Sequence, residues 1–319
     1  MMNRSKYRNC LPQCLNRMFL TDGGLETTLI YHEGIELPCF AAFTLLKTEQ
    51  GVGRLRAYYS RYAGLAQEAG LGFVLESPTW RANADWGAKL GYSRTELAQA
   101  NRQAVDLMLE IREKFETPRA PMVLSGNIGP RGDGYDAGRI MSVAEAQAYH
   151  FDQIGTYRET PVDLVSAFTL NYVNEAIGIA RAAQEARMPV VISFTLEIDG
   201  RLPTGETLKQ AIMSVDEATG GAPAYYMINC AHPSHFSGAV ASGEEWVKRI
   251  GGVRANASRR SHAELDQATD LDDGDPVEFG REHAELRRML PHARVLGGCC
   301  GTDHRHVREI AFACEAAAV

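Results

Sequence analysis

Eight short apolar runs, spaced along the whole chain, constrain most strongly what this sequence can fold into. Each run contains a stretch of Val, Ile, Leu, Phe, Met or similar residues that is followed by small or polar residues. Runs that are apolar on both faces are typical of buried parallel strands. The eight runs lie at 18–24, 72–80, 120–130, 162–169, 189–197, 224–230, 250–258 and 294–302.

Helical patterns fill the gaps between these runs. In some of them apolar residues recur every three or four positions, which is one face of an amphipathic helix, and others are rich in strong helix formers. Ser142 and Glu145 form a capping-box pattern that predicts the start of a further helix. The helical patterns lie at 49–70, 95–115, 174–187 and 306–317. Strands and helices that alternate eight times predict an α/β fold, a single-domain (β/α)8 TIM barrel, while periodicity alone leaves a doubly wound sheet open.

The 319 residues are enough for one such barrel. We divide the chain into an N-terminal extension, 1–17, and one barrel domain, 18–319. No internal segment is rich enough in Pro, Gly or Ser to predict another boundary. The acidic segment 264–280 is expected to be a solvated loop, with a loop that shapes the barrel mouth as the alternative.

Charge and hydropathy limit the partners. The net charge of −7 argues against nucleic acid or an anionic membrane as the main partner. No apolar run reaches the roughly 18 residues of a membrane-spanning helix, and the polar, basic N-terminus lacks the apolar centre of a secretory signal. We therefore expect a cytoplasmic protein that acts on small molecules, with self-association into a homo-oligomer left open.

Three of the seven cysteines lie at predicted strand ends. Cys230 ends the sixth run, and Cys299 and Cys300 end the eighth run after two glycines that allow a close backbone approach. Because the carboxyl ends of barrel strands meet at one rim, we expect the three thiols to lie close together. Three thiolates suit Zn²⁺, and three protein ligands leave the open position of a catalytic zinc site.

The other four cysteines have no such context. An odd number of cysteines without a secretory signal does not indicate a disulfide framework, and adjacent cysteines rarely meet disulfide geometry. We interpret the remaining cysteines as structural or exposed, and no specific role follows for the first two: Cys10, Cys14, Cys39 and Cys314.

Three motifs resemble those of the homocysteine S-methyltransferase family. They are DGGLETTL (22–29), INC (228–230) and GGCCGT (297–302). The family includes betaine–homocysteine and S-methylmethionine–homocysteine methyltransferases and the homocysteine-binding module of cobalamin-dependent methionine synthase. The resemblance runs from about residue 20 to residue 314 and implies a (β/α)8 barrel.

The resemblance also implies a reaction. Cys230, Cys299 and Cys300 match the family's zinc ligands, and the homocysteine thiol would take the fourth position as a thiolate. That thiolate would attack a methyl group on a sulfonium or quaternary nitrogen and give methionine. The donors implied are S-methylmethionine, S-adenosylmethionine or betaine, and the enzyme class is EC 2.1.1.

Substrate-binding residues are implied at other strand ends. The backbone N–H groups of Gly23 and Gly24 would receive the amino-acid carboxylate, and Asp22 would attract the ammonium. The ring of Trp80 suits a cationic donor. The full set implied is Asp22, Gly23, Gly24, Glu76, Thr79, Trp80, Asn127, Phe168 and Asn229.

Phe168 departs from the family pattern, which usually has a Glu there that helps to hold the ammonium. Since phenylalanine cannot accept such a hydrogen bond, either Asp22 makes that contact alone or the thiol lacks an α-amino group. A first alternative function is therefore methyl transfer or demethylation on another thiol or sulfonium compound. A second is a zinc-storing or redox-sensing barrel without turnover. In RANAS (254–258), Asn256 is expected to keep the role of the family's Asn.

Overall fold

Eight parallel strands form one closed barrel in the computed structural model, which describes residues 5–316 and the side chains up to residue 314. The strands are β1 Phe19–Leu20, β2 Gly72–Glu76, β3 Met122–Ile128, β4 Leu164–Leu170, β5 Val190–Phe194, β6 Tyr225–Asn229, β7 Ile250–Ala255 and β8 Val295–Gly298. Each strand pairs with its sequence neighbours, and β1 also pairs with β8. The predicted TIM barrel is therefore confirmed, and the doubly wound alternative is wrong.

Helices follow the strands on the outside of the barrel. They are α1 Leu25–Thr27, α2 Glu49–Ala69, α3 Ala84–Lys89, α4 Arg94–Phe115, α5 Val143–Arg158, α6 Val173–Ala186, α7 Leu208–Thr219, α8 Pro233–Val240, α9 His262–Gln267, α10 Pro276–Met289 and α11 His304–Ala316. The capping box predicted at Ser142 begins α5. No helix within residues 5–316 combines the length and the apolar character that a membrane span requires.

Only part of the acidic segment 264–280 is a loop, whereas the sequence predicts a loop over the whole segment. Its first residues belong to α9, and α10 begins at Pro276, which is favoured in the first turn of a helix. Asp275 caps α10 because its side chain accepts a hydrogen bond from the Glu278 amide. The intervening loop lies at the mouth of the barrel, where several of its residues line a cavity.

The barrel interior changes from apolar to polar along its axis. Alternate strand residues near the amino-terminal end form one buried cluster, which includes Phe19, Val74, Val123, Leu164, Val191, Tyr225, Met227 and Val295. Nearer the carboxyl ends, the Ser125 and Ser166 hydroxyls lie 2.7 Å apart, and the Ser193 hydroxyl donates to Asn229. The apolar layers therefore form a floor beneath a polar layer at the strand ends.

The described part of the N-terminal extension closes the amino-terminal end of the barrel. Leu11 is buried in the interior cluster. The Tyr7 amide donates to Asp163 at 2.7 Å, and Asp163 also forms a buried ion pair with Arg112 at 2.9 Å. The extension therefore packs as part of the barrel core.

Leu11 and Leu15 provide a matched test of this contact. We expect Leu11→Ala to destabilise the protein by about 2–4 kcal/mol, because the substitution leaves a cavity under the barrel. Leu15 is 58% exposed, so Leu15→Ala should change stability by less than about 0.5 kcal/mol. Thermal unfolding of the two variants measures the difference, and equal shifts would contradict the proposed packing.

Candidate active site

A cavity of about 400 Å³ opens at the carboxyl ends of the strands. Among the residues that line it, those predicted from the sequence are Asp22, Gly23, Gly24, Glu76, Trp80, Asn127, Phe168, Asn229, Cys230, Cys299 and Cys300. Side chains from distant parts of the chain meet here because parallel barrel strands end at one rim. The structure therefore brings all the predicted site residues together except Thr79, and their individual roles stay predictions.

Thr79 lies behind the cavity wall. Its side chain is fully buried, and its hydroxyl donates to the Asn127 carbonyl oxygen at 2.8 Å. The same hydroxyl oxygen accepts a hydrogen bond from Tyr157 at 2.6 Å. Thr79 therefore does not line the cavity, and these bonds hold the loop after β2.

The sulfur atoms of Cys230, Cys299 and Cys300 all lie within 4.8 Å of one another. Cys230 directly follows β6, and its φ of 52° is rare for a residue other than glycine. Thr169, at the end of β4, has a φ of 62°. Such backbone strain costs about 1–3 kcal/mol and is concentrated at functional sites.

Glycines allow the β1 and β8 ends to meet beside this cluster. A Cβ atom on Gly24 would lie 2.6 Å from the Cys299 carbonyl oxygen. A Cβ atom on Gly298 would overlap the side chain of Thr302. The close backbone approach predicted from the glycines before the cysteine pair is therefore present.

Each sulfur of the cluster has one polar neighbour. The pairs are Asn229 Nδ2 with Cys299 at 3.9 Å, the Thr169 hydroxyl with Cys230 at 4.0 Å, and the Tyr135 hydroxyl with Cys300 at 3.7 Å. The Asn229 amide is itself fixed, because Ser193 donates to its oxygen at 2.6 Å. These neighbours would stabilise negative charge on the sulfurs.

Cys230 and Cys299 form a disulfide in the structure, with Cα atoms 5.5 Å apart. Cys300 is free, and burial raises the pKa of its thiol to about 11. This thiol therefore needs a nearby cation to be a thiolate at neutral pH. The other cysteines are exposed or buried elsewhere, as predicted: Cys10, Cys14, Cys39 and Cys314.

The contacts of the β1 turn differ from those implied by the resemblance. Asp22 accepts a hydrogen bond from Arg254 Nη2 at 2.7 Å and from the Tyr58 hydroxyl at 3.1 Å. The Gly24 amide already donates to the Thr302 carbonyl oxygen at 3.0 Å. Asp22 is therefore paired within the protein, and the Gly24 N–H is not available to a substrate carboxylate.

Two further carboxyl groups line the cavity. Burial raises the pKa of both Glu26 and Glu76 to about 7. Glu76 is buried above the Ser125 and Ser166 hydroxyls, whereas Glu26 lies in α1 and makes no hydrogen bond to another residue in the described chain. Both groups thus titrate near neutral pH.

Trp80 has a different neighbour from the one predicted. The Arg81 guanidinium lies 4.2 Å from the centre of its ring system and also stacks on Trp86 at 4.0 Å. The Trp80 indole donates to the Phe168 carbonyl oxygen at 3.2 Å. One ring face of Trp80 therefore already holds a cation of this chain and is not free for a donor.

The sequence profile of the homocysteine S-methyltransferase family matches residues 19–314. This range contains all eight strands and the three clustered cysteines. The chain belongs to this family. The resemblance inferred from the three motifs is confirmed, and the protein is a methyltransferase.

Relatives within the homocysteine S-methyltransferase family cover nearly the whole chain. Homocysteine S-methyltransferase 4 of Zea mays is 24% identical over 320 residues, which cover 92% of this chain and 88% of the relative. The homocysteine methyltransferase MmuM of Escherichia coli in its oxidised form has a TM-score of 0.72 at 20% identity, with 94% of this chain and 97% of MmuM covered. The metallated form of MmuM has a TM-score of 0.70 at 19% identity, with 97% of this chain and 98% of MmuM covered. At these identities MmuM shows the shared fold.

Several cavity residues of this family member were not predicted from the sequence, and three of them carry polar groups that bear on the site. Arg254 stands in RANAS, where the predicted residue is Asn256, yet Asn256 is buried and does not line the cavity. Glu26 lies within DGGLETTL but was not predicted as a site residue. Tyr135 belongs to the loop after β3, stacks on His262 with ring centres 3.9 Å apart, and had no sequence pattern to mark it.

Proposed function

We propose that this protein transfers a methyl group from a sulfonium or quaternary ammonium donor to the thiol of homocysteine and so gives methionine. The observation that carries the proposal is the cluster of Cys230, Cys299 and Cys300 in the cavity at the strand ends. Membership of the homocysteine S-methyltransferase family supports homocysteine as the acceptor. S-methylmethionine, S-adenosylmethionine and betaine are the candidate donors.

The three cysteines fit a zinc ion. Thiolate sulfurs are preferred zinc ligands, and three of them leave a further position for a substrate. When bound, Zn²⁺ would lower the pKa of the acceptor thiol so that it reacts as a thiolate. Asn229, through its contact with Cys299, would hold one ligand sulfur in place.

The bond changes are those of a simple displacement. A sulfur–carbon bond forms at the acceptor while the donor's bond to the same methyl carbon breaks. The acceptor thiol loses its proton to solvent, and the donor leaves as a neutral thioether or tertiary amine. The protein's contribution is to hold the two reacting atoms in line within a partly enclosed cavity.

The mouth of the cavity suits a cationic donor. Asp266 lines it and forms no ion pair within the described chain, and burial together with nearby Asp133 raises the pKa of Asp266. The rings of Tyr31 and Phe40 also line the mouth. Aromatic rings and carboxylates together attract a sulfonium or quaternary ammonium group.

A product assay tests the proposal directly. Reduced, zinc-loaded protein is incubated with homocysteine and each of the three donors carrying a labelled methyl group. We expect labelled methionine by mass spectrometry with at least one donor, and none when homocysteine is omitted. Absence of methylated product with every donor would contradict the proposed function.

Phe168 favours a second candidate acceptor, a thiol without an α-ammonium group. Its side chain is buried in the cavity wall, and the ring centre lies 5.1 Å from the Arg254 guanidinium. 4-Mercaptobutyrate is homocysteine without the ammonium, so it belongs in the same assay. Faster methylation of 4-mercaptobutyrate than of homocysteine would favour this candidate.

Oxidation should compete with metal binding at the cluster. The disulfide between Cys230 and Cys299 uses two of the three sulfurs, and its formation removes two electrons from thiols that a metal would need as ligands. We expect protein handled without reductant to bind little zinc, and reduction by a phosphine to restore binding to about one ion per chain. Equal zinc binding before and after reduction would contradict this prediction.

A further inference from the structure

His262 is a buried residue that lies against the backbone of the cysteine cluster. Its Nε2 atom is 2.7 Å from the Cys230 carbonyl oxygen, and its Nδ1 atom is 3.1 Å from Glu197 Oε1. Because a carbonyl oxygen and a carboxylate can only accept hydrogen bonds, we assign a hydrogen to each ring nitrogen. The ring is therefore held between Glu197 on one side and the peptide of Cys230 on the other.

The start of α9 fixes the backbone that carries this ring. The Ser261 hydroxyl accepts a hydrogen bond from the Glu264 amide at 3.3 Å, and the Glu264 carboxylate accepts one from the Ser261 amide at 2.8 Å. These two bonds form a capping box, and His262 is the first residue of the helix that it begins. The position of His262 is therefore set by the helix start, and its ring is turned inward to Cys230.

A second ring fixes the plane of the imidazole. Tyr135, from the loop after β3, stacks on His262 with ring centres 3.9 Å apart and ring planes 13° apart. The Tyr135 hydroxyl is also the polar neighbour of the Cys300 sulfur, at 3.7 Å. Glu197 and Tyr135 thus leave the ring of His262 little freedom to turn away from the Cys230 carbonyl oxygen.

Cys230 needs support because of its backbone conformation. Of the three clustered cysteines, it alone has a positive φ, and such a conformation persists only where the surrounding structure fixes it. The Cys230 amide donates to the Arg254 carbonyl oxygen at 3.2 Å. On the carbonyl side, His262 makes the short contact, since the Thr195 hydroxyl lies 3.4 Å away. Loss of His262 would therefore release one side of this strained residue.

We propose that His262 is a positioning residue that holds Cys230 in place for metal binding through the Cys230 carbonyl oxygen. This inference rests on the proposed function, since the cluster is the site that zinc and the acceptor thiol would share. A ligand that is fixed beforehand loses less conformational freedom when the metal binds. The same placement favours the disulfide with Cys299, because it holds the two thiols at a high effective concentration.

Three substitutions of His262 separate its contacts. The amide of His262→Gln can take the place of Nε2 and keep the bond to Cys230, whereas the shorter amide of His262→Asn takes the place of Nδ1. His262→Phe keeps the ring and loses both hydrogen bonds. We expect the zinc dissociation constant of the reduced protein, measured by competition with a chelator, to rise about 10- to 100-fold in the Asn and Phe variants and less than about threefold in the Gln variant.

His235→Asn is the matched control. The Nε2 atom of His235 also lies within hydrogen-bonding distance of a backbone carbonyl oxygen, at 3.1 Å, but that oxygen belongs to Arg259 and not to a cysteine of the cluster. The zinc dissociation constant of this variant should change less than about twofold, since the cluster keeps its own contacts.

Equilibration of the Cys230–Cys299 disulfide with dithiothreitol tests the positioning without a metal. Two electrons pass from dithiothreitol to the disulfide, which gives two protein thiols and the cyclic disulfide of the reagent. We expect the equilibrium to shift about 10-fold toward the thiols in His262→Asn and His262→Phe, because a released Cys230 is at a lower effective concentration. The shift should be less than about threefold in His262→Gln and His235→Asn.

Both measurements are separate from turnover. If no donor gives a methylated product, the proposed function fails, yet a selective loss in His262→Asn would still support the positioning role. Equal losses in His262→Gln and His262→Asn, an equal loss in His235→Asn, or no loss in His262→Asn would overturn it even if methyl transfer is observed. If His262→Asn does not fold, His262→Phe provides the same comparison with His262→Gln.

Discussion

Cys230→Ser is expected to lower kcat/KM for methyl transfer by about 1000-fold or more and to abolish tight zinc binding. The substitution removes one of three clustered sulfurs, and a hydroxyl is a poor zinc ligand at neutral pH. Without the ion the acceptor thiol remains protonated and weakly nucleophilic. A loss of several kcal/mol of transition-state stabilisation corresponds to this factor. Zinc content by atomic emission and initial rates of methionine formation measure the two effects together.

Cys314→Ser is the matched control for this variant. Cys314 is fully buried but lies in α11, away from the cluster. It should therefore retain its zinc and change the rate of methyl transfer little, although its stability falls modestly. Retention of both zinc and activity in Cys230→Ser would contradict the assignment of the metal ligands and would favour a different function for the cluster.

The cysteine cluster was predictable because the carboxyl ends of all strands in such a barrel lie at the same rim. Cys230 ends the sixth apolar run and Cys299 lies near the end of the eighth, so closure of the barrel brings both to one rim. The eight runs themselves were readable since buried parallel strands are apolar on both faces. Even β1, which has only two residues, could be predicted because a turn sequence follows it directly.

Side-chain partners were much less predictable than strand positions. Asp22 and Arg254 are 232 positions apart, and their contact depends on the pairing of β7 with β8 and of β8 with β1. The local sequence around each residue does not indicate the other as its partner. An Asp-Gly pair, for example, is also common in simple turns. The position of Thr79 behind the cavity wall was unpredictable for a similar reason, since a position just beyond a strand does not fix the direction of a side chain.

The Asp22–Arg254 pair also explains why the cavity tolerates Phe168. A buried guanidinium requires a counter-ion, and Asp22 provides it at 2.7 Å. With that charge neutralised, the adjacent wall at the end of β4 can be apolar.

Arg254→Met is expected to destabilise the protein by about 3–5 kcal/mol, because it leaves the Asp22 carboxylate buried without a cation. The loss should depend on pH. Burial already raises the pKa of Asp22 and Arg254 opposes that rise, so the folded variant holds this carboxyl at a still higher pKa. A folded state with the higher pKa binds the proton more tightly than the unfolded chain, so its stability falls as pH rises above the unfolded pKa of about 3.9.

The difference in Tm between Arg254→Met and the unsubstituted protein should therefore be larger at about pH 8 than at about pH 5. The double variant Asp22→Asn/Arg254→Met should recover most of the lost stability, because a neutral amide in place of the Asp22 carboxylate needs no counter-ion. Its dependence on pH should be weaker than that of Arg254→Met, and the part that remains comes from Glu76, whose pKa Arg254 also lowers. A larger loss at the lower pH, or a double variant as unstable as Arg254→Met, would show that the guanidinium stabilises the fold by packing on Phe168 and not by pairing with Asp22.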